Sequence, residues 1–163
     1  MTTSAPNVRL RHVAGSDFDA IFDWQRDPAA CRMAAFIVEN PEDRAAFDAR
    51  WVKILADGAV YERAIRDGEQ LVGYVVSFMR FGQREVGYWI DRRHWGKGYG
   101  TEGLRLFLLE IGERPLYARA AADNVGSVRV LEKCGFRIIA REQAWARARG
   151  AEIEEVVLRL DGE

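Results

Sequence analysis

The hydrophobic and polar positions in the first half of the chain repeat with two different periods. A roughly alternating pattern predicts a strand over 7–13, and apolar residues at helical spacing predict helices over 15–25 and 40–55. Between 60 and 90 the period returns to two, and the DGE and FGQ turns divide this region into three strands over 60–66, 70–80 and 84–90. The stripes predicted to face the core on the two helices consist of Phe18, Ile21, Phe22, Gln25, Phe47, Trp51, Ile54 and Leu55.

Residues that favour helix starts precede both helices. Ser16 followed by Asp19 has the spacing of a capping box, which predicts the start of the first helix there. Asn40 is a favoured N-cap residue and Pro41 suits the first helical position. We therefore expect the second helix to begin at this pair.

The second half of the chain adds two helices and three strands. These are a helix over 101–111, a strand over 114–122, a helix over 123–136, and two closing strands over 136–146 and 152–160. Asp123 or Asn124 is the expected N-cap of the later helix, and Gly135 its left-handed C-terminal residue. Seven strands and four helices in this order predict an α/β (α+β) fold, a mixed sheet with helices on both faces.

Length and composition restrict the functions that this pattern can serve. The 163 residues are 48% hydrophobic and 30% charged, as expected for a single domain over 1–163. A net charge of −1 and the lack of a long apolar run favour no nucleic-acid or membrane partner. Cys31 and Cys134 lack the spacing of a metal site or a disulfide framework, so we expect no metal. With no signal segment in 1–13, a cytoplasmic location fits best.

Glycines are concentrated at 96, 98, 100 and 103, where the third helix begins. A helix N-terminus offers unpaired N–H groups and partial positive charge, and glycine lets an anion approach that backbone closely. The combination predicts an anion site whose usual ligand is a diphosphate. A long turn in which the glycines only reverse the chain is the simpler alternative.

Two other phosphate motifs fit this stretch less well. Lys97 is followed by Gly98 rather than Ser or Thr, so the Walker A pattern is absent. Gly98, Gly100 and Gly103 spell the dinucleotide fingerprint G-x-G-x-x-G, with Asp123 further along. That fingerprint needs its first glycine at the end of a strand, whereas the stretch DRRHWGK separates it from the strand ending near 90. A nicotinamide dinucleotide site is therefore the least favoured alternative.

Two motifs in this half of the chain resemble those of one known family. The pattern R-x-x-G-x-G, preceded by VGYWI and followed by YGTEGLRLFL, resembles the acetyl-CoA pyrophosphate loop of the GCN5-related N-acetyltransferases (GNAT). The stretch DNVGSVRVLEKCGF resembles the next motif of the same family, in the right order and one strand later. The wording GYWI…HWGKGYGTE is most similar to the branch that contains the ribosomal-protein-alanine N-acetyltransferases.

The resemblance implies a GNAT-type, mostly antiparallel central sheet with a splayed central strand pair, between which the pantetheine arm of acetyl-CoA lies. It implies backbone contacts to pantetheine from two strand residues, backbone N–H contacts to the pyrophosphate from the glycine loop, and added charge from Arg93 and Lys97, with Arg92 as a further candidate. The residues implied to bind acetyl-CoA are Trp89, Ile90, Arg93, Gly96, Lys97, Gly98, Tyr99, Gly100, Thr101 and Asn124. Asn124 has a second, compatible role as the helix cap.

The implied reaction is transfer of the acetyl group from acetyl-CoA to a primary amine by direct attack. The amine must lose a proton, and Glu85 is the candidate base; the alternative is a solvent-facing charge at the strand end. The departing thiolate benefits from a donor, and many relatives use a tyrosine seven residues after the motif asparagine. That position is Leu131 here, so Ser127 is the candidate donor. The missing tyrosine leaves open a non-catalytic acyl-CoA-binding module.

Several residues near the implied cleft have two interpretations. Gly87 inside a strand predicts a bulge or a close backbone approach. Ala118, Ala120 and Ala122 either keep the wall beside pantetheine low or pack under a helix.

The acceptor pocket is expected between the first two helices and the closing hairpin, with the segment 31–41 over the cleft. The candidates are Trp24, Phe36, Phe78, Arg80 and Trp145, although such aromatic residues are more often part of a core. The resemblance implies a small-molecule amine or a protein N-terminus as acceptor, and a homodimer is an open alternative.

Overall fold

The computed structural model describes residues 7–162. Its strands are β1 (Val8–Arg11), β2 (Tyr61–Asp67), β3 (Gln70–Arg80), β4 (Gln83–Ile90), β5 (Leu116–Ala121), β6 (Arg137–Ala146) and β7 (Ala151–Leu160). Its α-helices are α1 (Phe18–Gln25), α2 (Pro28–Ala34), α3 (Arg44–Ala56), α4 (Tyr99–Glu110) and α5 (Val125–Lys133), with short 3-10 turns over Gly15–Asp17 and Arg92–His94. Residues 1–6 lie outside the described residues. They belong to the segment 1–13, in which we expected no signal segment.

All seven strands form one sheet in the order β1-β2-β3-β4-β5-β7-β6. Neighbouring strands are antiparallel except β4 and β5, which run parallel and pair only through Glu85 and Tyr117 in the described part of the chain. Because the two strands separate beyond that pair, the predicted mixed, mostly antiparallel sheet with a splayed central pair is confirmed.

Helices cover both faces of this sheet, as predicted. The larger core packs α4 and α5 against one face, with Leu104, Phe107 and Leu131 fully buried. The second core packs α1 and α3 against the other face, and includes Phe47 and Trp51 at 1% and 2% exposure. None of the helices in residues 7–162 is long and apolar enough to cross a membrane.

Two predicted helix starts were wrong. The chain makes a 3-10 turn at Gly15–Asp17 before α1, and Asp17, not Ser16, accepts a hydrogen bond from the N–H of Ala14 at 2.8 Å. Helix α3 begins after Asp43, whose carboxylate accepts from Ala46 N–H at 3.0 Å. Asn40 has a φ of 52°, so its backbone turns the chain instead of capping the helix.

The segment after α1 contains a helix that the sequence pattern did not predict. Helix α2 has Pro28 at its first turn, and Asp27 caps it by accepting from Ala29 N–H at 3.1 Å. It has only seven residues, of which Ala30 and Cys31 are buried, so its apolar pattern is too short to show a helical period.

Two predictions about individual glycines had different outcomes. Gly135 follows α5 with a φ of 97°, which confirms its left-handed role. Of the two alternatives for Gly87, the bulge was wrong because the register between β3 and β4 is continuous there, and within residues 7–162 no backbone approaches closely. A Cβ at Gly87 would meet only Phe78 and Val76, at 3.9 and 4.0 Å.

Candidate active site

A cleft of about 600 Å³ opens between β4, helix α2 and the N-terminal ends of α4 and α5. Nine of the residues predicted from the sequence line it: Trp89, Ile90, Gly96, Gly98, Tyr99, Gly100, Thr101, Asn124 and Ser127. Arg93, Lys97 and Glu85 are not among its lining residues. The cleft therefore brings together the glycine loop, the strand before it and the start of α5, which are distant in sequence.

One wall of the cleft is an edge of β4 without a strand partner. On its other edge β4 pairs with β3 throughout, for example Trp89 with Tyr74. Towards β5 only Glu85 is paired within residues 7–162, so the backbone from Val86 to Ile90 has no strand neighbour on that side. The indole N–H of Trp95 donates to the carbonyl of Ile90 at 2.9 Å and occupies that acceptor. The remaining edge suits an extended, amide-containing ligand.

A second wall is the N-terminus of α4. Gly98 is its N-cap residue with a left-handed φ of 86°, and no side chain caps the helix there. The first intrahelical bond runs from Glu102 N–H to the Gly98 carbonyl, so the N–H groups of Tyr99, Gly100 and Thr101 lack helical partners. Gly96 also has a positive φ of 74°. These free donors at the positive helix end form a cradle that fits a diphosphate.

The arginine and lysine side chains of the loop do not line this cradle. Arg93 donates to the carboxylate of Asp91 from Nε at 3.0 Å and from Nη2 at 2.7 Å. Burial raises the pKa of Asp91, but the hydrogen bonds from Arg93 outweigh it, and the pKa lies below its ordinary value. Arg92 pairs with Asp27 at 2.6 Å, and Lys97 is exposed. The cradle therefore depends on backbone N–H groups more than on these side chains.

Gly103 has a different role from the other three glycines. It is buried one turn inside α4, where a Cβ would lie 2.7 Å from Cδ1 of Ile65 on β2. Gly103 therefore lets α4 pack closely on the sheet, whereas Gly96 and Gly98 shape the loop through positive φ.

Helix α5 contributes the third wall. The side chain of Asn124 accepts from Ser127 N–H at 3.3 Å and caps the helix, as predicted. Ser127 lines the cleft, and its Oγ lies 2.8 Å from the hydroxyl of Tyr88 on β4. Burial raises the pKa of Tyr88 to about 12, although its hydrogen bond with Ser127 acts in the opposite direction. Tyr88 is therefore a neutral hydroxyl at physiological pH.

Glu85 lies on the opposite face of β4 from Tyr88. It is 3% exposed, so it is not the solvent-facing charge considered as an alternative. Its Oε1 accepts from Arg119 Nε at 2.9 Å, and its Oε2 lies 3.6 Å from Arg80 Nη1. Its role as a base stays a prediction, and these two guanidinium groups weigh against it because both carboxylate oxygens face positive charge.

Among the cleft side chains that the sequence did not indicate, three bear on the proposed chemistry: Tyr88, Arg129 and Lys133. Tyr88 follows the period of Val86 and Ile90, and this alternation was the available signal for its direction. Arg129 and Lys133 lie four residues apart on α5 and line the cleft. Within residues 7–162 neither side chain forms a hydrogen bond or an ion pair. They supply the positive charge that Arg93 does not, and their i, i+4 spacing in the motif was the signal for them.

The predicted acceptor residues do not form one pocket. Trp24 on α1 is 6% exposed and belongs to the second core, and Phe36 packs on a small alanine cluster. Trp145 is 61% exposed on β6, which is an edge strand of the sheet. Of the segment 31–41, Met33 and Ala34 line the cleft, which confirms that part of its expected position.

The three alanines of the strand after α4 pack into the core. Ala118 and Ala120 are 1% and 7% exposed and belong to the cluster with Leu131, and Ala122 packs against the same cluster. Packing under a helix is therefore their role in this structure.

A splayed sheet whose cleft joins a glycine-rich helix start to a capped second helix defines an acyl-CoA-dependent transferase fold. The acetyltransferase (GNAT) domain family matches residues 7–137, most of the chain. The chain belongs to the GNAT family, for which acetyl-CoA is the fitting co-substrate.

Individual relatives agree with this assignment. The probable N-acetyltransferase YjcK of Bacillus subtilis (strain 168) is 42% identical over 55 residues, which cover 31% of this chain and 30% of YjcK. The match thus spans less than a third of that relative's length.

Two solved structures share the fold. Spermidine N-acetyltransferase from Vibrio cholerae, in complex with CoA and spermine, has a TM-score of 0.80 at 19% identity, over 95% of both chains. RimL, a ribosomal L7/L12 alpha-N-protein acetyltransferase in complex with coenzyme A, has a TM-score of 0.81 at 14% identity, over 95% of this chain and 94% of RimL.

Proposed function

We propose that this protein transfers the acetyl group of acetyl-CoA to a primary amine by direct attack within a ternary complex. The observation that carries this proposal is the cleft itself. An unpaired strand edge leads from the uncapped, positive N-terminus of α4 to a pair of hydroxyl groups at the start of α5. A diphosphate, a chain of amides and a thioester in that order match these three walls.

The residues proposed to hold acetyl-CoA follow from the same geometry. The backbone N–H groups between Gly96 and Thr101 would hold the pyrophosphate, and the edge of β4 at Trp89 and Ile90 would meet the pantetheine amides. Asn124 borders the cleft and caps α5, which lets it contribute to both. Arg129 and Lys133 offer positive charge to the phosphates, and Lys97 and Arg93 are more distant candidates.

The chemistry places three demands on this chain. The amine must be neutral to attack, the carbonyl oxygen needs a donor as negative charge develops, and the departing sulfur benefits from a hydrogen bond. We assign the last role to Ser127, whose hydroxyl lines the cleft. Glu85 is a candidate base only through a water, and its pairing to Arg119 is the role that we favour.

The acceptor classes come from the activities of two structural neighbours. One of them acts on spermidine and another on the N-terminus of a ribosomal protein. We therefore propose a small-molecule amine or a protein N-terminus as acceptor, a location in the cytoplasm, and a homodimer as the assembly to test. No role with nucleic acid or membrane is proposed.

The test is release of free thiol from acetyl-CoA in a panel that contains polyamines, amino acids and peptides with free N-termini. We expect at least one amine to release thiol above the rate without acceptor, with the acetylated product identified by mass spectrometry. If CoA binds but no amine causes thiol release, the non-catalytic module is favoured. The buried Leu131, at the position where many relatives have a tyrosine, is the observation that supports this alternative.

A melting-temperature comparison separates the cofactor classes. Because a ligand that binds the folded state stabilises it, CoA should raise the melting temperature and a nicotinamide dinucleotide should not.

A further inference from the structure

The hydroxyl of Tyr88 connects the two elements that flank the cleft. It lies 2.8 Å from the Oγ and 3.1 Å from the carbonyl oxygen of Ser127, so β4 and the first turn of α5 meet through one side chain. Both residues line the cleft. A buried hydroxyl usually needs a partner, and Tyr88 has two acceptors on the same residue.

Tyr88 and Ser127 have one hydroxyl hydrogen each, which restricts how the two groups can be hydrogen-bonded. The carbonyl of Ser127 lies inside α5, where the N–H of Leu131, four residues later, is its ordinary partner. When Tyr88 donates to the Oγ, the hydrogen of Ser127 is left to point into the cleft. When Ser127 donates to Tyr88 instead, its hydrogen is no longer available to a ligand. The 2.8 Å distance is the same in both arrangements, and an acceptor in the cleft selects the first one by taking the Ser127 hydrogen.

The other hydroxyl groups of the cleft do not duplicate this pair. Among the described residues, four hydroxyl-bearing side chains line it: Tyr88, Tyr99, Thr101 and Ser127. The Tyr99 hydroxyl donates to the carboxylate of Asp67, and this hydrogen bond raises its pKa. Thr101 lies in the first turn of α4, beside the proposed pyrophosphate cradle.

We propose that Tyr88 is a positioning residue that donates to the Oγ of Ser127 and thereby directs the Ser127 hydrogen to the sulfur of the thioester. This role rests on the proposed acetyl transfer. In that reaction the C–N bond forms, the C–S bond breaks and its electron pair stays on sulfur. The proton that the acceptor nitrogen loses balances the charge on sulfur. Tyr88 keeps its own proton throughout, and Ser127 stabilises the thiolate by a hydrogen bond.

The test uses Tyr88→Phe, Ser127→Ala and the double variant, assayed with an acceptor found in the thiol-release screen. We expect Tyr88→Phe to lower kcat about tenfold, the equivalent of one hydrogen bond, while the dissociation constant of CoA changes less than about twofold. Because Tyr88 acts through Ser127, the double variant should be no slower than Ser127→Ala alone. Ser127→Thr retains the hydroxyl and should keep most of kcat.

Tyr74→Phe is the matched control. Tyr74 faces the other side of the sheet and packs edge-on against Trp51, with the ring centroids 5.0 Å apart. Burial also raises its pKa to about 12, and it does not line the cleft. This variant should leave kcat unchanged.

Two results would overturn the role of Tyr88: an unchanged kcat in Tyr88→Phe, or losses in the two single variants that multiply in the double variant. A large fall in kcat for Ser127→Thr would also overturn it, and this variant keeps the tyrosine if Tyr88→Phe proves unstable. The proposed acetyl transfer itself fails separately, when the unsubstituted protein releases no thiol with any amine.

Discussion

Nε of Arg119 donates a hydrogen bond to Oε1 of Glu85 over 2.9 Å, which links β5 to β4 beside the point where the two strands separate. Nη1 of Arg119 also donates to Glu142 and Glu155, at 3.0 and 3.2 Å. Arg119 thus joins four strands on the sheet face opposite Tyr88. The carboxylate predicted to be a base is part of this ion-pair network.

Glu85→Gln should lower the free energy of unfolding by about 2 kcal/mol, because the buried carboxylate loses its charge-assisted hydrogen bond with the partly buried Arg119. We expect the pH profile of kcat to keep its shape, since the carboxylate already faces Arg119 and Arg80. Denaturant unfolding and steady-state kinetics measure the two effects. A profile that loses one limb in this variant would restore Glu85 as the base.

Glu142→Gln is the control for that experiment. Glu142 pairs with the same arginine, but its side chain is 50% exposed. Its loss should cost less than about 1 kcal/mol because solvent screens the pair. Equal losses in both variants would contradict the burial argument.

Gly98→Glu should abolish CoA binding, because it puts a side chain and a negative charge at the uncapped N-terminus of α4. Gly82→Glu is the matched control, since Gly82 has a similar φ of 73° in the exposed β3–β4 turn, away from the cleft. Calorimetric titration with CoA measures both variants. The cradle assignment fails if Gly98→Glu binds CoA as tightly as Gly82→Glu does.

Asn124→Asp separates the two roles of Asn124. An aspartate retains the cap and suits the positive helix end, so the melting temperature should stay within a few degrees. Its negative charge beside the cleft should weaken CoA binding about tenfold. Asn124→Ala should do the reverse, with about 1 kcal/mol less stability and a smaller change in CoA affinity. Unchanged CoA affinity in Asn124→Asp would leave Asn124 with the cap alone.

Gly103→Ala should destabilise the protein by about 1 kcal/mol or more, although alanine normally favours a helix. The new Cβ would lie 2.7, 3.1 and 3.2 Å from three side-chain atoms of Ile65, which is fully buried and cannot turn away. Ile65→Val removes the nearest atom, so the double variant should lose less than the sum of the single losses.

Gly126→Ala is the control in a helix without such a contact. Nothing lies within 4 Å of a Cβ at Gly126, so this variant should keep or gain up to about 1 kcal/mol. Thermal unfolding of the four variants checks the comparison. A stabilised Gly103→Ala would show that the sheet yields to the helix there.

Much of the fold was predictable because its signals are local. The period-two strands 70–80 and 84–90 were predicted at nearly their observed bounds, and Asn124 and Gly135 have the cap roles expected of their residue types. The helix start at Asn40 failed because Asp43, three residues later, has equal capping chemistry, and the start at Ser16 failed because a 3-10 turn precedes α1 there. Helix α2 was missed because seven residues are too few to show a period.

The sequence by itself determined the order of the functional motifs along the chain: a glycine-rich helix start, one strand, then an asparagine-capped helix. These depend on φ preferences and capping, which act within a few residues. Only the tertiary structure decided which side chains meet. It buried Glu85 against Arg119 and brought Tyr88 to Ser127, 39 residues later in the chain. Such contacts follow from the splay of β4 and β5, a property of the assembled sheet that no local pattern contains.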